Sequence, residues 1–265
     1  MKNYLVIGNP IDHSLSPKIH NYWIKKNNIN ANYSKKLVTK DEIEQIILQV
    51  RKGEIDGINV TVPHKKTVIS YVDDLSPEAK QSKSVNTIYK ENNKVIGHNT
   101  DIAGFELSLR NTKFDISNKK VLILGAGGVV SSIIIAIKRM KPSKIMISNR
   151  TKQKAENLSV YFKDIEIVNW GETPEFDMIV NATSIGLNKD DKIELNYNQI
   201  GSKKFFYDII YNPKETNFLK KAKEFGNRTE NGKMMFIYQA HQAFTIWHKV
   251  MPEINDEIIK LIDND

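Results

Sequence analysis

An apolar β-type run, Val121–Leu124, breaks at Gly125-Ala126-Gly127-Gly128, passes into a helical stretch from Val129 to Met140, and is followed by a second β-type run, Lys144–Ser148. A β–turn–α–β unit of about 30 residues closes as two parallel strands joined by a crossover helix, so this segment commits its part of the chain to an α/β fold. The same alternation runs to both sides. Before it stand a short β run at Tyr4–Ile7 ended by Gly8-Asn9-Pro10, a helix from Pro17 to Asn27, and a helix from Asp41 to Lys52 with Ile43, Ile46, Ile47 and Val50 on one face. A strand over Gly57–Val62 stops at Pro63, two short strands follow at Thr87–Tyr89 and Lys94–Gly97, and a helix is predicted from Ile102 to Arg110. After it come strands at Met178–Asn181 and Phe205–Ile210, an amphipathic helix from Met235 to Val250 and a last helix from Ile254 to Leu261.

The chain has 265 residues, enough for two domains that each bury a core. Its character changes near Asp101, where a mixed region gives way to the more apolar glycine-turn unit. There is no cysteine, which excludes disulfides, thiolate metal sites and a cysteine nucleophile, and suits a reducing cytoplasm. The net charge of +8 is spread along the chain, without the clustered run of a nucleic-acid tail, and suits anionic small-molecule ligands. No apolar stretch reaches the ~18–20 residues of a membrane span, and the first eight residues lack the pattern of a signal peptide. The six histidines show no metal-ligand spacing, so no metal is expected, and His64 is read as a residue of packing or helix entry.

The glycine turn carries the first chemistry. A helix amino terminus offers unpaired N–H groups and the positive end of a dipole to a pyrophosphate, and glycines let the phosphate reach the backbone. Gly125 and Gly127 occupy the first two positions of the dinucleotide fingerprint; the third is Val130, a departure expected to loosen helix–strand packing. The alternative is a strand-to-helix turn without a ligand. The end of the next strand reads Ser148-Asn149-Arg150-Thr151, with Lys152 and Lys154 beyond, where enzymes using NAD place an acid for the ribose hydroxyl. Arg150 pairs with a 2′-phosphate that a carboxylate would repel, so the expected cofactor is NADP.

Polar residues in apolar or turn settings carry the second. Ser14-Leu15-Ser16-Pro17 precedes a helix, where hydroxyls cap the helix or donate to a carboxylate. Asn59 and Thr61 alternate along a strand, Lys65 follows its end, and Asn86 and Asp101 lie beside other short elements.

Nine motifs in order then identify a relative: Ser14-Leu15-Ser16-Pro17, Asn59-Val60-Thr61-Val62-Pro63-His64-Lys65, Val85-Asn86-Thr87, Asn99-Thr100-Asp101, Gly125-Ala126-Gly127-Gly128, Asn149-Arg150-Thr151, Asn181-Ala182-Thr183-Ser184-Ile185-Gly186, Asp208-Ile209-Ile210-Tyr211-Asn212-Pro213 and Gln239-Ala240. Over nearly its whole length the chain resembles the shikimate dehydrogenase family. The resemblance implies Lys65 and Asp101 as catalytic pair, Ser14, Ser16 and Tyr211 at the substrate carboxylate, and Asn59, Thr61, Asn86, Asp101 and Gln239 at the ring hydroxyls. It places NADP on Gly125, Ala126, Gly127, Gly128 and Val129 and on Asn149, Arg150, Thr151 and Lys154, with Ile209 and the backbone of Gly232 beside the nicotinamide. It implies NADPH-dependent reduction of 3-dehydroshikimate to shikimate by a cytoplasmic enzyme of aromatic amino-acid biosynthesis.

The expected fold is two α/β domains. Residues 1–101, completed by 235–265 as C-terminal helices packing back, form a substrate domain with a mostly parallel sheet; residues 102–234 form a Rossmann-type NADP domain, with the active site in the cleft between them. The partner expected is a small molecule, with neither nucleic acid nor membrane, and both monomer and homodimer are left open. Lys83-Ser84, where the family favours Gly-Ala, His241-Gln242 and Lys249 depart from its usual residues without removing a catalytic group. Three rival readings are a quinate/shikimate dehydrogenase, for which a threonine at position 16 is expected instead of Ser16, a non-catalytic NADP-binding regulator, and a dehydrogenase acting on a folate.

Overall fold

The computed structural model describes residues 1–263. The chain divides into two compact units, one made of Met1–Gly104 with the stretch from Ile237 onward, the other of Phe105–Phe236.

In the first unit the order is β1 (Lys2–Gly8), α1 (Ser16–Lys26), β2 (Ala31–Leu37), α2 (Ile43–Lys52), β3 (Gly57–Val60), β4 (Asp74–Leu75), α3 (Pro77–Ser82), β5 (Thr87–Glu91), β6 (Lys94–His98) and α4 (Asp101–Asn111), which leads into the second unit. The sheet runs β2-β1-β3-β5-β6-β4. Its pairs are parallel except where β5 meets β3 and β6. Pro17 opens α1, whose lost N–H would have had no helical partner. On α2 the predicted face of Ile43, Ile46, Ile47 and Val50 is buried against the sheet, and Gly53 ends the helix at φ 78°.

The second unit contains β7 (Lys120–Leu124), α5 (Val130–Arg139), β8 (Lys144–Ser148), α6 (Lys152–Ser159), β9 (Ile165–Val168), β10 (Met178–Asn181), α7 (Tyr197–Ile200), β11 (Phe205–Asp208), α8 (Asn217–Glu224) and β12 (Arg228–Glu230). Its sheet, β12-β11-β10-β7-β8-β9, is parallel throughout. A parallel sheet is covered on both faces, which is why β10 and β11 bury every residue and read as continuous apolar runs. Val130, at the third fingerprint position, has no exposed surface.

The remaining helices are α9 (Lys233–His248), whose first turn lies in the second unit, and α10 (Asp256–Asp263). Trp247 of α9 packs back on β3, where a Cβ on Gly57 would lie 2.4 Å from its Nε1, and that nitrogen donates to the Ile88 carbonyl at 3.1 Å. The amphipathic helix expected over Met235–Val250 is instead buried or half-buried at every position from 233 to 248. Its pattern is apolar on most sides because it is an interior helix.

Two strands are shorter than expected. The run Gly57–Val62 ends at Val60 because the chain turns at Thr61, whose carbonyl accepts from the His64 N–H at 2.9 Å, leaving Val62 64% exposed. The run Phe205–Ile210 ends at Asp208, whose own carboxylate captures the Ile210 N–H at 3.0 Å. No helix among the described residues is long and apolar enough to cross a membrane.

Candidate active site

In the first unit, β3 delivers Lys65 through the turn that follows it, and β6 delivers Asp101 as the first residue of α4. Two hydrogen bonds from backbone N–H groups fix them. The Lys65 carbonyl accepts from the Val85 N–H at 2.8 Å, and Asn99 Oδ1 accepts from the Ile102 N–H at 3.2 Å, capping α4. A carboxylate in the first turn of a helix also meets the positive end of its dipole.

Lys65 Nζ donates to Asp101 Oδ2 at 2.6 Å, and the two side chains are only 13% and 6% exposed. Asp101 Oδ1 accepts from Asn86 Nδ2 at 2.8 Å. Both carboxylate oxygens are thus held, while Nζ has further protons without a protein acceptor among the described residues. A desolvated ammonium with donors to spare, clamped by a carboxylate, is equipped to give a proton to an oxygen that gains charge.

The amides around the pair are tied to protein. Asn86 Nδ2 also donates to Thr100 Oγ1 at 2.9 Å, and its Oδ1 accepts from the Thr100 N–H at 2.8 Å. Asn59 Nδ2 donates to the Asn86 carbonyl and to Thr87 Oγ1, both at 3.1 Å, while its Oδ1 accepts from the Tyr33 hydroxyl at 2.7 Å. Asn59 therefore retains acceptor capacity on Oδ1 and no free donor. Sequence reasoning missed Tyr33, which lies on a strand with no apolar pattern. It missed Thr87 and Thr100 too, although both stand inside the motifs that carry Asn86 and Asp101.

The serine pair takes an intermediate form of capping. Leu15, not a serine, is the cap residue of α1, and Ser14 Oγ accepts from the Ser16 N–H at 3.3 Å. The hydroxyl protons of both serines have no protein acceptor among the described residues, so they remain available to an anion. Thr61 is half-buried, its N–H still bonded to the Ile7 carbonyl at 2.9 Å; Gln239 is half-buried on α9. Tyr211 lies in the second unit, stacked on Phe236 with ring centroids 4.5 Å apart. Lys65, Asp101, Asn86 and Asn59 form one bonded network; among the described residues no bond adds Ser14, Ser16 or Thr61 to it. His64 is buried, with Nε2 2.7 Å from the Val38 carbonyl, a packing role.

In the second unit the glycine turn joins β7 to α5. Gly125 sits at φ 114°, and a Cβ there would lie 2.7 Å from the Ala182 carbonyl oxygen, so only glycine fits. A Cβ at Gly127 would meet nothing within 4 Å: it would project into the open space in front of the turn. Among the described residues, the N–H groups of Ala126, Gly127, Gly128 and Val129 donate to no protein acceptor. This cradle fits a pyrophosphate. At the end of β8, Asn149 Nδ2 bonds the Thr151 carbonyl at 2.7 Å, and Arg150, Thr151, Lys152 and Lys154 are exposed. Arg150 has no ion-pair partner among the described residues, and the first turn of α6 has no acid, which fits a ribose phosphate. Ile209 and Gly232 are brought into direct contact: a Cβ on Gly232 would fall 1.9 Å from the Ile209 carbonyl oxygen.

Comparison with known proteins agrees with this chemistry. Residues 6–88 match the family model for the shikimate dehydrogenase substrate binding domain, and residues 106–217 the model for shikimate / quinate 5-dehydrogenase. The chain is 62% identical over 262 residues to the shikimate dehydrogenase (NADP(+)) of Pelagibacter ubique, covering 99% of each. The crystal structure of shikimate dehydrogenase from Aquifex aeolicus is similar with a TM-score of 0.91 at 36% identity, covering 100% of this chain and 98% of that one. The Thermus thermophilus enzyme in complex with NADP(H) and shikimate gives a TM-score of 0.89 at 27% identity, covering 99% and 98%.

Proposed function

The chain belongs to the shikimate dehydrogenase family, and from that premise we propose that it reversibly reduces 3-dehydroshikimate to shikimate with NADPH, in the biosynthesis of aromatic amino acids. The observation that carries this reading is the buried 2.6 Å contact between Lys65 Nζ and Asp101 Oδ2, with the other protons on Nζ given to no acceptor among the described residues.

Bound NADPH supplies the hydride. As the substrate carbonyl oxygen gains negative charge, Lys65 Nζ gives it a proton, a form of assistance typically worth ~10²–10⁴-fold. Asp101 keeps the ammonium in place through Oδ2 and is itself held by Asn86. In the reverse direction the neutral amine of Lys65 takes the hydroxyl proton. Ser14 and Ser16, with Tyr211, bind the substrate carboxylate. Thr61, Gln239 and the acceptor oxygen of Asn59 serve the ring hydroxyls, with Asn86 beside them.

Residues 1–101 and 235–265 form the substrate domain and 102–234 the NADP domain. Gly125, Ala126, Gly127, Gly128 and Val129 would hold the pyrophosphate. Asn149, Arg150, Thr151 and Lys154 would hold the 2′-phosphate, and Ile209 and Gly232 would border the nicotinamide. A chain without cysteine, acting on two soluble anions, works in the cytoplasm.

The test is a rate comparison: shikimate or quinate as substrate, NADP or NAD as acceptor, read by the absorbance of reduced nicotinamide. Shikimate with NADP is expected to give the highest kcat/KM. A preference for quinate, or no reduction with shikimate, overturns the assignment.

A further inference from the structure

Outside the Lys65 network, the second unit has its own buried polar cluster at the carboxyl ends of its central strands. Asn181 ends β10 and Asp208 ends β11, and the two are register partners in the parallel sheet. Both have no exposed surface, and Thr216, the cap residue of α8, is 2% exposed. Asp208 Oδ1 accepts from Asn181 Nδ2 and from the Ile210 N–H, each at 3.0 Å, and Oδ2 accepts from Thr216 Oγ1 at 2.7 Å. Asn181 Nδ2 also donates to the Ile185 carbonyl at 3.0 Å, and its Oδ1 accepts from the Thr183 hydroxyl at 2.7 Å and the Thr183 N–H at 3.1 Å.

These bonds close two loops. The stretch after β10 is pulled back by Thr183 and Ile185, and it presents the Ala182 carbonyl against Gly125 of the glycine turn. The stretch from Ile209 to Thr216 is pinned at one end by the Ile210 N–H and at the other by the Thr216 hydroxyl, and it carries Ile209 and Tyr211. Gly232 is joined to it through its N–H on the Ile210 carbonyl at 3.0 Å. A carboxylate is the side chain that can accept three such donors at once, and its burial without a cation comes at a cost that a surface-facing amide would avoid.

We infer that Asp208, with Asn181 and Thr216, is a positioning residue for the nucleotide: it holds Ile209 and Gly232 in the arrangement that receives the nicotinamide end of NADPH. This rests on the proposed NADP site. All three side chains are buried, so they act through the loops they tie.

The decisive variant is Thr216→Val, nearly isosteric, which leaves Asp208 Oδ2 buried without a donor. Thr216→Ser keeps the hydroxyl. Three readouts are taken on the full chain: NADPH affinity by fluorescence titration, shikimate affinity by calorimetry, and hydrogen exchange without nucleotide. For Thr216→Val the account expects NADPH binding about tenfold weaker, in line with losing one hydrogen bond to a buried charge. It also expects faster exchange over 209–216, a smaller loss of shikimate affinity through Tyr211 than of NADPH affinity, and wild-type behaviour in Thr216→Ser. Unchanged NADPH affinity, with faster exchange confined to 217–224, reduces Thr216 to a helix cap and overturns the inference. Wild-type chain that binds no NADPH overturns the cofactor reading itself, a separate result.

Discussion

Two carboxylates are buried among the described residues, Asp101 at 4% and Asp208 at 0% exposure, and they are neutralised in opposite ways. Asp101 faces an ammonium, Lys65 Nζ at 2.6 Å, and one amide. Asp208 faces only neutral donors: an amide, a backbone N–H and a hydroxyl. Burial therefore raises the Asp208 carboxyl to about 6, against the downward pull of its bonds from Thr216, Ile210 and Asn181. A buried acid with a cation whose remaining protons are free makes a proton-transfer device. One surrounded by neutral donors that all belong to loops makes a clip. The residue type is the same, and the partners set the role.

The largest effect that separates the two is expected from Asp101→Asn. Removing the charge opposite Lys65 is expected to lower kcat by ~10²–10⁴-fold while NADPH affinity stays within about twofold. Steady-state kinetics with a parallel NADPH titration measures both; a variant that loses NADPH binding instead would make Asp101 another clip.

The two units should also answer acid with opposite signs. In the first, His20 is 1% exposed and stacked on Tyr33 with centroids 4.2 Å apart; burial, then the charge of His248, pushes its imidazole from 6.5 down to about 3. A lowered histidine pKa means stability that is present above pH 6.5 and drains away as pH falls toward about 3. In the second unit, Asp208 is raised from 3.8 to about 6, so its contribution is present below pH 3.8 and is lost as pH rises through about 6. His20→Phe, which keeps a ring on Tyr33, should therefore compare most favourably with wild type at pH 4.5, and Asp208→Asn, which gives up acceptors, should cost least at pH 7. Thermal midpoints of the three proteins at the two pH values check this. A difference from wild type of the same size at both values for either variant removes that residue from the account.

The smallest effects come from three family departures whose cost the structure makes visible. Lys83 and Lys249 both sit in the left-handed region, at φ 50° and 56°, where a Cβ is strained and glycine is not. Ser84 Oγ is buried with no hydrogen-bond partner among the described residues. Lys83→Gly, Lys249→Gly and Ser84→Ala are each expected to stabilise by about 0.5–1 kcal/mol without changing kcat, read as small rises in thermal midpoint. A loss of stability on all three would show that these side chains make compensating contacts. Another departure, His241, has an evident use: its Nε2 lies 2.9 Å from the Pro252 carbonyl, fastening the segment before α10.

How much of this could be read from the sequence follows from geometry. The eight strands visible as apolar runs, β1, β3, β5, β6, β7, β8, β10 and β11, are the interior strands of the two sheets. The four that were invisible, β2, β4, β9 and β12, are the edges. An edge strand has one neighbour and much exposed surface, so it has no need of an apolar period; β2, Ala-Asn-Tyr-Ser-Lys-Lys-Leu, buries only Tyr33. That is why the hydroxyl that orients Asn59 could not be foreseen. Lys65 and Asp101 were legible because each stands in a specific local motif. Asn181 and Asp208 also stand in motifs, but their joining with Thr216 was not legible, since the members are 27 and 8 residues apart and meet only through strand register and a loop closure.

The central claim is that the Lys65 amine moves the proton in the reduction, and Lys65→Met tests it most directly, because it keeps the length of the side chain and removes the amine. With shikimate and NADP, the wild-type chain is predicted to generate reduced nicotinamide, and Lys65→Met to do so at least about 100-fold more slowly at unchanged NADP affinity. Turnover of Lys65→Met at the wild-type rate would contradict the account.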